Sequence, residues 1–247
     1  MIRPIGPFRK QLIGNGGILF PPYFPTSLSH LEEYYDARTP ALTLAHGANV
    51  DPWVDLSGNS RNQITFAPDI PPTLLSTSSL SPNGLPLVRF NGVNQDLASG
   101  TINPFPVLTR GYSFHAYANW QAGGAGVVWQ DDTGLRPQLF INTGAGTISW
   151  RDTSGTRTFA GALTGFHLYS WIFDVGGTAT IYLDGVALGS NAWTIAYNAN
   201  AATIIGCNQV NNAHVTADEG FFVWYSDSHS AATIAQFLLW TQIFWGF

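Results

Sequence analysis

Apolar residues gather along the chain in short runs, at 86–90, 112–120, 126–130, 137–142, 147–151, 166–173, 179–184, 202–206 and 220–225. Turn formers punctuate them: Gly123-Gly124, Asn142-Thr143-Gly144, Ser154-Gly155, Gly176-Gly177 and Asp184-Gly185. Short strands at such regular spacing predict an all-β sandwich or jelly roll. Thr180 to Val186 alternates apolar and polar positions, the period of a strand with one buried face. Within Asn83–Asn94 an apolar run ends at Asn91-Gly92 and a second begins at once. Asn and Gly tolerate the positive φ of tight turns, so this stretch predicts a strand, a two-residue hairpin turn and a return strand. Only the end reads as a helix. Ser228 or Ser230 can cap it, and Ala231 to Trp245 follows without Pro or Gly. At 100° per residue, Ile234, Phe237, Leu238, Thr241, Phe244 and Trp245 share one face, with Leu239, Trp240 and Ile243 on the other. A helix apolar all round must be covered twice, and its second cover is the N-terminal segment or another chain.

Residues 1–30 break the pattern. Pro4, Pro7, Pro21, Pro22 and Pro25 disfavour helix and central strand, and Arg3, Arg9 and Lys10 lie among them. This is an extended arm, either strapped along its own domain or anchored on a neighbouring subunit. Residues 31–247 then form one domain.

Composition narrows the partners. Charged residues make up 10% of the 247 positions, against about 25% in an average soluble protein. The net charge of −5 leaves no basic surplus to neutralise a phosphate backbone, so no nucleic acid is expected. No apolar stretch is long enough to insert in a membrane, and the N-terminus lacks a signal-peptide core. The single cysteine excludes an internal disulfide and a cysteine-built zinc or iron–sulfur site. Cys207, in the apolar run Ile204-Ile205-Gly206-Cys207, reads as a small buried side chain.

Four elements follow one another across 31–247. They are Tyr35-Asp36-Ala37 with Trp53-Val54-Asp55-Leu56-Ser57-Gly58-Asn59; Gly84-Leu85-Pro86-Leu87-Val88-Arg89-Phe90-Asn91-Gly92-Val93; Ile181-Tyr182-Leu183-Asp184-Gly185; and Ile234 to Phe247. On these elements the chain resembles the laminin G-like branch of the concanavalin A-like lectin/glucanase superfamily, in the form found in bacteriophage virion and bacterial surface proteins. The resemblance implies a jelly-roll sandwich of two antiparallel sheets, here with an extended N-terminal arm and a short C-terminal helix. Asn91, Asn94 and Gln95 stand where relatives often carry Asp. Fewer carboxylates weigh against a structural calcium there, so neither metal nor cofactor is expected.

Glycoside hydrolysis, which superfamily members perform, needs two carboxylates about 5–9.5 Å apart. Catalytic relatives carry alternating acids on one strand, and no such run exists here. Glutamate occurs only at 32, 33 and 219; Asp218-Glu219 and Asp131-Asp132 are adjacent and on a strand would face opposite ways. No Gly-x-Ser-x-Gly or His-Glu-x-x-His motif appears. The six histidines (30, 46, 115, 167, 214, 229) show no metal-ligand spacing, and His115 and His167 read as hydrogen-bonded strand residues. No enzyme is expected.

Carbohydrate binding needs an aromatic platform beside polar groups on loops. Trp129, Gln130, Asp131 and Asp132, with Asn208, Asn211 and Asn212, have that chemistry, whereas Trp120, Trp150, Trp171, Trp193 and Trp224 read as core. Arg3, Arg9, Lys10, Leu239, Trp240 and Ile243 are the candidate assembly residues. A low-charge, disulfide-free β protein without an export signal fits a non-enzymatic virion structural subunit: a capsid decoration, head-fibre or tail-associated protein. Its expected partners are other virion proteins and copies of itself, with a trimer favoured. The alternative is a receptor-recognition or adhesin module that binds host-surface glycans.

Overall fold

The computed structural model describes residues 24–65, 68–76, 81–99, 110–121, 125–131, 138–142, 144–152, 154–161, 163–194, 202–207 and 213–246. Its strands are β1 (Leu31–Asp36), β2 (Gln63–Ile64), β3 (Thr73–Leu75), β4 (Leu87–Asn91), β5 (Leu97–Ser99), β6 (Tyr112–Trp120), β7 (Ala125–Asp131), β8 (Gln138–Asn142), β9 (Thr147–Asp152), β10 (Gly155–Ala160), β11 (Phe166–Phe173), β12 (Thr178–Leu183), β13 (Val186–Ala192), β14 (Thr203–Ile205) and β15 (Thr216–Tyr225), followed by helix α1 (Ala231–Trp245). Among the described residues they build two antiparallel sheets. One runs β13-β12-β11-β6-β15-β4-β3, with β1 also on β15; the other runs β10-β9-β8-β7-β14-β5-β2. This is the expected all-β sandwich with a C-terminal helix, of jelly-roll type.

The longest strands, β6, β11 and β15, are buried along nearly their whole length because their sheet is covered on both faces. Toward the second sheet, Phe114 lies 4.6 Å from Trp129, Phe173 lies 5.9 Å from Trp150, and Trp224 lies 6.1 Å from Trp129, measured between ring centroids. On the other face, His115 stacks on Phe237 at 4.0 Å, Phe221 meets Trp240 edge-on at 5.0 Å, and Tyr117 packs 5.3 Å from Trp245. The layers are therefore helix, sheet, sheet.

The bulge at Gly220 lets β15 serve two partners. Its first half pairs with β4 (Thr216↔Asn91 to Glu219↔Val88) and its second with β1 (Leu31↔Tyr225 to Asp36↔Phe221). A Cβ at Gly220 would lie 2.7 Å from Tyr117 Cδ1 and 2.8 Å from Trp245 Cζ3, so only glycine fits beneath the helix.

Helix α1 begins where expected. Ser230 Oγ accepts from the Thr233 amide at 3.2 Å, and Gly246, at φ 66°, closes the C-terminus with its N–H on Gln242 O. One face assignment is corrected. Trp240, placed on the outer face by the helical wheel, is fully buried. It sits about 60° round the helix from Phe237, close enough for its long indole to fold down onto the sheet. Phe24, in a 3-10 turn at Phe24–Ser27, covers it from the side, 5.1 Å from Phe237 and 6.2 Å from Trp240. Tyr225 Oη donates to Pro25 O at 2.8 Å. Residues 24–30 thus pack on their own domain. Leu239 remains 38% exposed and Ile243 half-buried.

The hairpin expected around Asn91-Gly92 is also corrected. β4 pairs antiparallel with the preceding β3 (Thr73↔Arg89, Leu75↔Leu87) through the long connection 76–86. After Asn91 the chain leaves the sheet and enters β5 of the other one. Asn91 Oδ1 accepts from the amides of Val93 (2.9 Å) and Asn94 (3.1 Å), an Asx turn that makes a corner between sheets. Turn chemistry predicts a reversal but not the sheet that receives the returning chain.

Candidate functional site

Of the predicted glycan residues, Trp129 and Gln130 are the two whose side chains are described, and both are buried. Trp129 points inward and is fully buried between Phe114 and Trp224, so its ring is core and no platform. Gln130 is buried too, its Oε1 accepting from Gln138 Nε2 at 2.5 Å. Asp131 ends β7 opposite Thr203, while Ile205 pairs with Trp129. The segment after β7 and the segment after β14 therefore leave at opposite ends of this strand pair. Asp132, Asn208, Asn211 and Asn212 lie outside the described residues, as do Arg3, Arg9 and Lys10.

Near the Asp131 end, a polar network is sealed between the sheets. Thr203 Oγ1 donates to the Glu33 carboxylate at 2.9 Å and accepts from Gln63 Nε2 at 2.8 Å. Gln63 Nε2 also reaches Tyr35 Oη at 3.2 Å, and Tyr35 Oη donates to Arg61 O at 2.5 Å. Burial pushes the Glu33 carboxyl up to about 7, against the pull of the Arg61 guanidinium. Beside it, Asp55 accepts from the amides of Tyr34 (3.1 Å), Ser57 (2.8 Å) and Arg61 (3.0 Å) and from Ser57 Oγ (2.7 Å). The Trp53–Asn59 element is thus an anchor for β1, because its acid satisfies backbone donors that would otherwise be buried unpaired.

At the opposite end of the β7–β14 pair, Asp69, Asp96, Cys207 and His214 come together. One ligand-type atom from each lies within 4.8 Å of every other. Cys207 Sγ donates to Asp96 Oδ2 at 2.7 Å, and His214 Nε2 is in close contact with Asp69 Oδ2. Backbone pairing sets the cluster. Ile205↔Leu97 registers the end of β14 against the start of β5, bringing Gly206-Cys207 beside Asp96. The Val215 amide donates to Gly206 O at 2.7 Å, which carries His214 in. The Ile70 amide donates to Asn94 O at 2.9 Å, which carries Asp69 in. Gly126 leaves room for this crossing, since a Cβ there would sit 2.6 Å from Val215 Cα. Sequence reasoning missed the cluster because its members come from four separate segments and share no spacing motif. Burial and the Asp96 carboxylate push the Cys207 thiol far above its usual value.

Several other acids and histidines are buried or hydrogen-bonded within the fold. Asp218 takes a bidentate pair from Arg89 (2.6 and 2.8 Å) and a bond from Gln121 Nε2 (2.9 Å). Glu219, opposite Ala118 on β15, faces the core, so the adjacent acids do point opposite ways. Both Glu219 oxygens lack a hydrogen-bond partner among the described residues, and burial pushes this carboxyl up to about 8. His115 and His167 are hydrogen-bonded as expected. His115 Nδ1 lies 2.8 Å from Ser170 Oγ and its Nε2 lies 3.0 Å from His229 Nδ1, while His167 Nδ1 lies 2.7 Å from Asp184 Oδ2. Burial lowers His115 well below its usual value and His229 to about 4, so the stacked pair under α1 is neutral.

No protein-family model matches the chain, and no curated protein sequence matches it. Solved structures share its fold. Trypanosoma rangeli sialidase in complex with sialic acid superposes with a TM-score of 0.60 at 13% identity, covering 93% of this chain and 35% of the sialidase. The binding domain of botulinum neurotoxin serotype D gives a TM-score of 0.60 at 12% identity, covering 88% of this chain and 55% of that one. The receptor-binding domain of the C/D mosaic serotype gives 0.60 at 10% identity, covering 88% and 54%. The chain thus spans about a third of the sialidase and about half of the toxin domains. At such identity the likeness is one of fold. No helix among the described residues is long and apolar enough to cross a membrane.

Proposed function

We propose that this chain is a non-catalytic recognition module that binds carbohydrate. One observation carries the reading: parts of two otherwise different proteins, one solved with sialic acid and the other named for receptor binding, cover nearly all of this chain. The fate of the acids supports binding over hydrolysis. Asp218 is committed to Arg89, Glu33 to Thr203, and Glu219 to the core, so none of them is paired with a second acid across an open cleft. With Trp129 and Gln130 buried, recognition falls to amide side chains that follow Cys207 in the sequence. Asn208, Asn211 and Asn212 lie within five residues of Cys207, and each amide offers the donors and acceptors that sugar hydroxyls match. The test is a glycan array probed with the purified chain, beside a sugar-release assay on the bound glycans. Saturable binding that Asn211→Ala with Asn212→Ala weakens, with no sugar released, supports the reading. No binding to any glycan, or turnover, overturns it.

A second reading, a virion structural subunit, is favoured by one feature. The outer face of α1 keeps Leu239 exposed with Ile243 beside it. In that role this face, with Arg3, Arg9 and Lys10 of the N-terminal segment, contacts neighbouring copies or other virion proteins. Light scattering that shows a trimer broken by Leu239→Lys favours it; a monomer at all concentrations opposes it.

A further inference from the structure

We infer that Asp69, Asp96, Cys207 and His214 form a zinc-binding centre that ties together one end of the sandwich. The donor set is the first argument. A thiol, an imidazole and two carboxylates are the side chains that bind zinc, commonly in fours. A hard cation such as calcium or magnesium selects oxygen alone and makes no use of the sulfur.

Geometry is the second argument. Zinc–ligand bonds of about 2.0–2.3 Å place tetrahedral ligand atoms about 3.3–3.8 Å apart. All four atoms here lie within 4.8 Å of one another. An ion at their centre needs the widest separation to close by only about an ångström, and the Cys207–Asp96 and His214–Asp69 contacts each to open by a similar amount.

Charge is the third argument. Asp96 and Cys207 are fully buried, and the side chains of Asp69 and His214 are each only 7% exposed. Two carboxylates and a sulfur gathered in so little water are costly, and a divalent cation offsets that cost while converting the thiol to a thiolate ligand. The small opening at Asp69 and His214 gives the ion a way in.

The backbone says what the centre would do. Each ligand adjoins a residue held by the backbone pairing described above: Asp69 beside Ile70, Asp96 beside Leu97, Cys207 beside Gly206, and His214 beside Val215. One ion would therefore fasten the β2–β3 connection, the start of β5, the end of β14 and the start of β15. Cys207 and His214 also bracket residues 208–212. The ion would clamp the base of the Asn-bearing segment without touching a ligand there. The inference does not depend on the glycan reading.

The test uses the full chain, stripped with chelator and dialysed against zinc or cobalt. Elemental analysis is expected to find one zinc per chain. The cobalt form is expected to show a thiolate-to-cobalt charge-transfer band with intense tetrahedral d–d bands. Cys207→Ser is expected to abolish the charge-transfer band, and His214→Ala to reduce bound zinc to background. Because either variant can fail to fold, the unfolding temperature of the unaltered chain is measured as well, and zinc is expected to raise it where magnesium does not. Absence of bound zinc, of the thiolate band and of the zinc-specific shift in folded protein overturns the inference. So does zinc retained in full by a folded variant carrying both Cys207→Ser and His214→Ala.

Discussion

Glu219→Gln isolates the energetic cost of a buried, unpaired acid. The substitution keeps the shape of the side chain and removes its ionisation. In the folded chain the Glu219 carboxyl titrates at about 8, against 4.5 when exposed, with burial as the cause. An acid whose folded value is raised binds its proton more tightly in the native state. Stability is then fullest below the unfolded value and falls as pH rises toward the folded one. At about 1.4 kcal/mol per pH unit, the shift from 4.5 to about 8 corresponds to roughly 5 kcal/mol, of which about 4 kcal/mol develops between about pH 5 and about pH 9. Glu33, raised to about 7 by the same cause, titrates in both proteins and cancels in the difference. Urea unfolding of the two proteins, followed by tryptophan fluorescence at several pH values, gives that difference directly. The expected result is near-equality at the acid end and an advantage for the Gln protein that grows to several kcal/mol at the alkaline end. A difference that stays flat across this range would show that the carboxyl finds a partner or water in the folded chain, and would refute the reasoning.

Two further substitutions probe the packing beneath and beside α1. Gly220→Ala drives a methyl group to 2.7 Å from Tyr117 and 2.8 Å from Trp245; it is expected to cost about 1–3 kcal/mol in urea unfolding, as overpacking does. Phe24→Ala removes the ring that covers Phe237 and Trp240; a loss of about 3–4 kcal/mol is expected, measured by the same unfolding series, because the cavity opens beside a large indole. A loss within error would show that residues 24–30 only lie near the helix.

Much of the fold was legible because local pattern and tertiary burial agree. The runs 112–120 and 166–173 coincide with β6 and β11, both buried on two faces, and Ser230 marks the start of α1. The short or exposed strands, β2, β5, β10 and β13, carry too few apolar residues to announce themselves; β13 is largely solvent-facing. Asn91-Gly92 was legible as a turn but not as a corner, since the choice of receiving sheet depends on residues far along the chain. Trp129 illustrates a different limit. Its polar neighbours suggested a loop, yet strand alternation turns the indole into the core and Gln130 away from it. The Asp69–Asp96–Cys207–His214 cluster had no local signal at all, because it is assembled by the register of β5 against β14 and by two backbone bonds outside the strands.

The central claim is that this sandwich recognises a glycan and leaves it intact. Saturation-transfer NMR on the purified chain with sialylated and neutral oligosaccharides, followed over a day with the sugar spectra recorded throughout, tests it most directly. The account predicts transfer to at least one oligosaccharide, weakened by Asn211→Ala with Asn212→Ala, while the sugar resonances stay unchanged. No transfer to any of them, or the appearance of cleaved sugar, would contradict it.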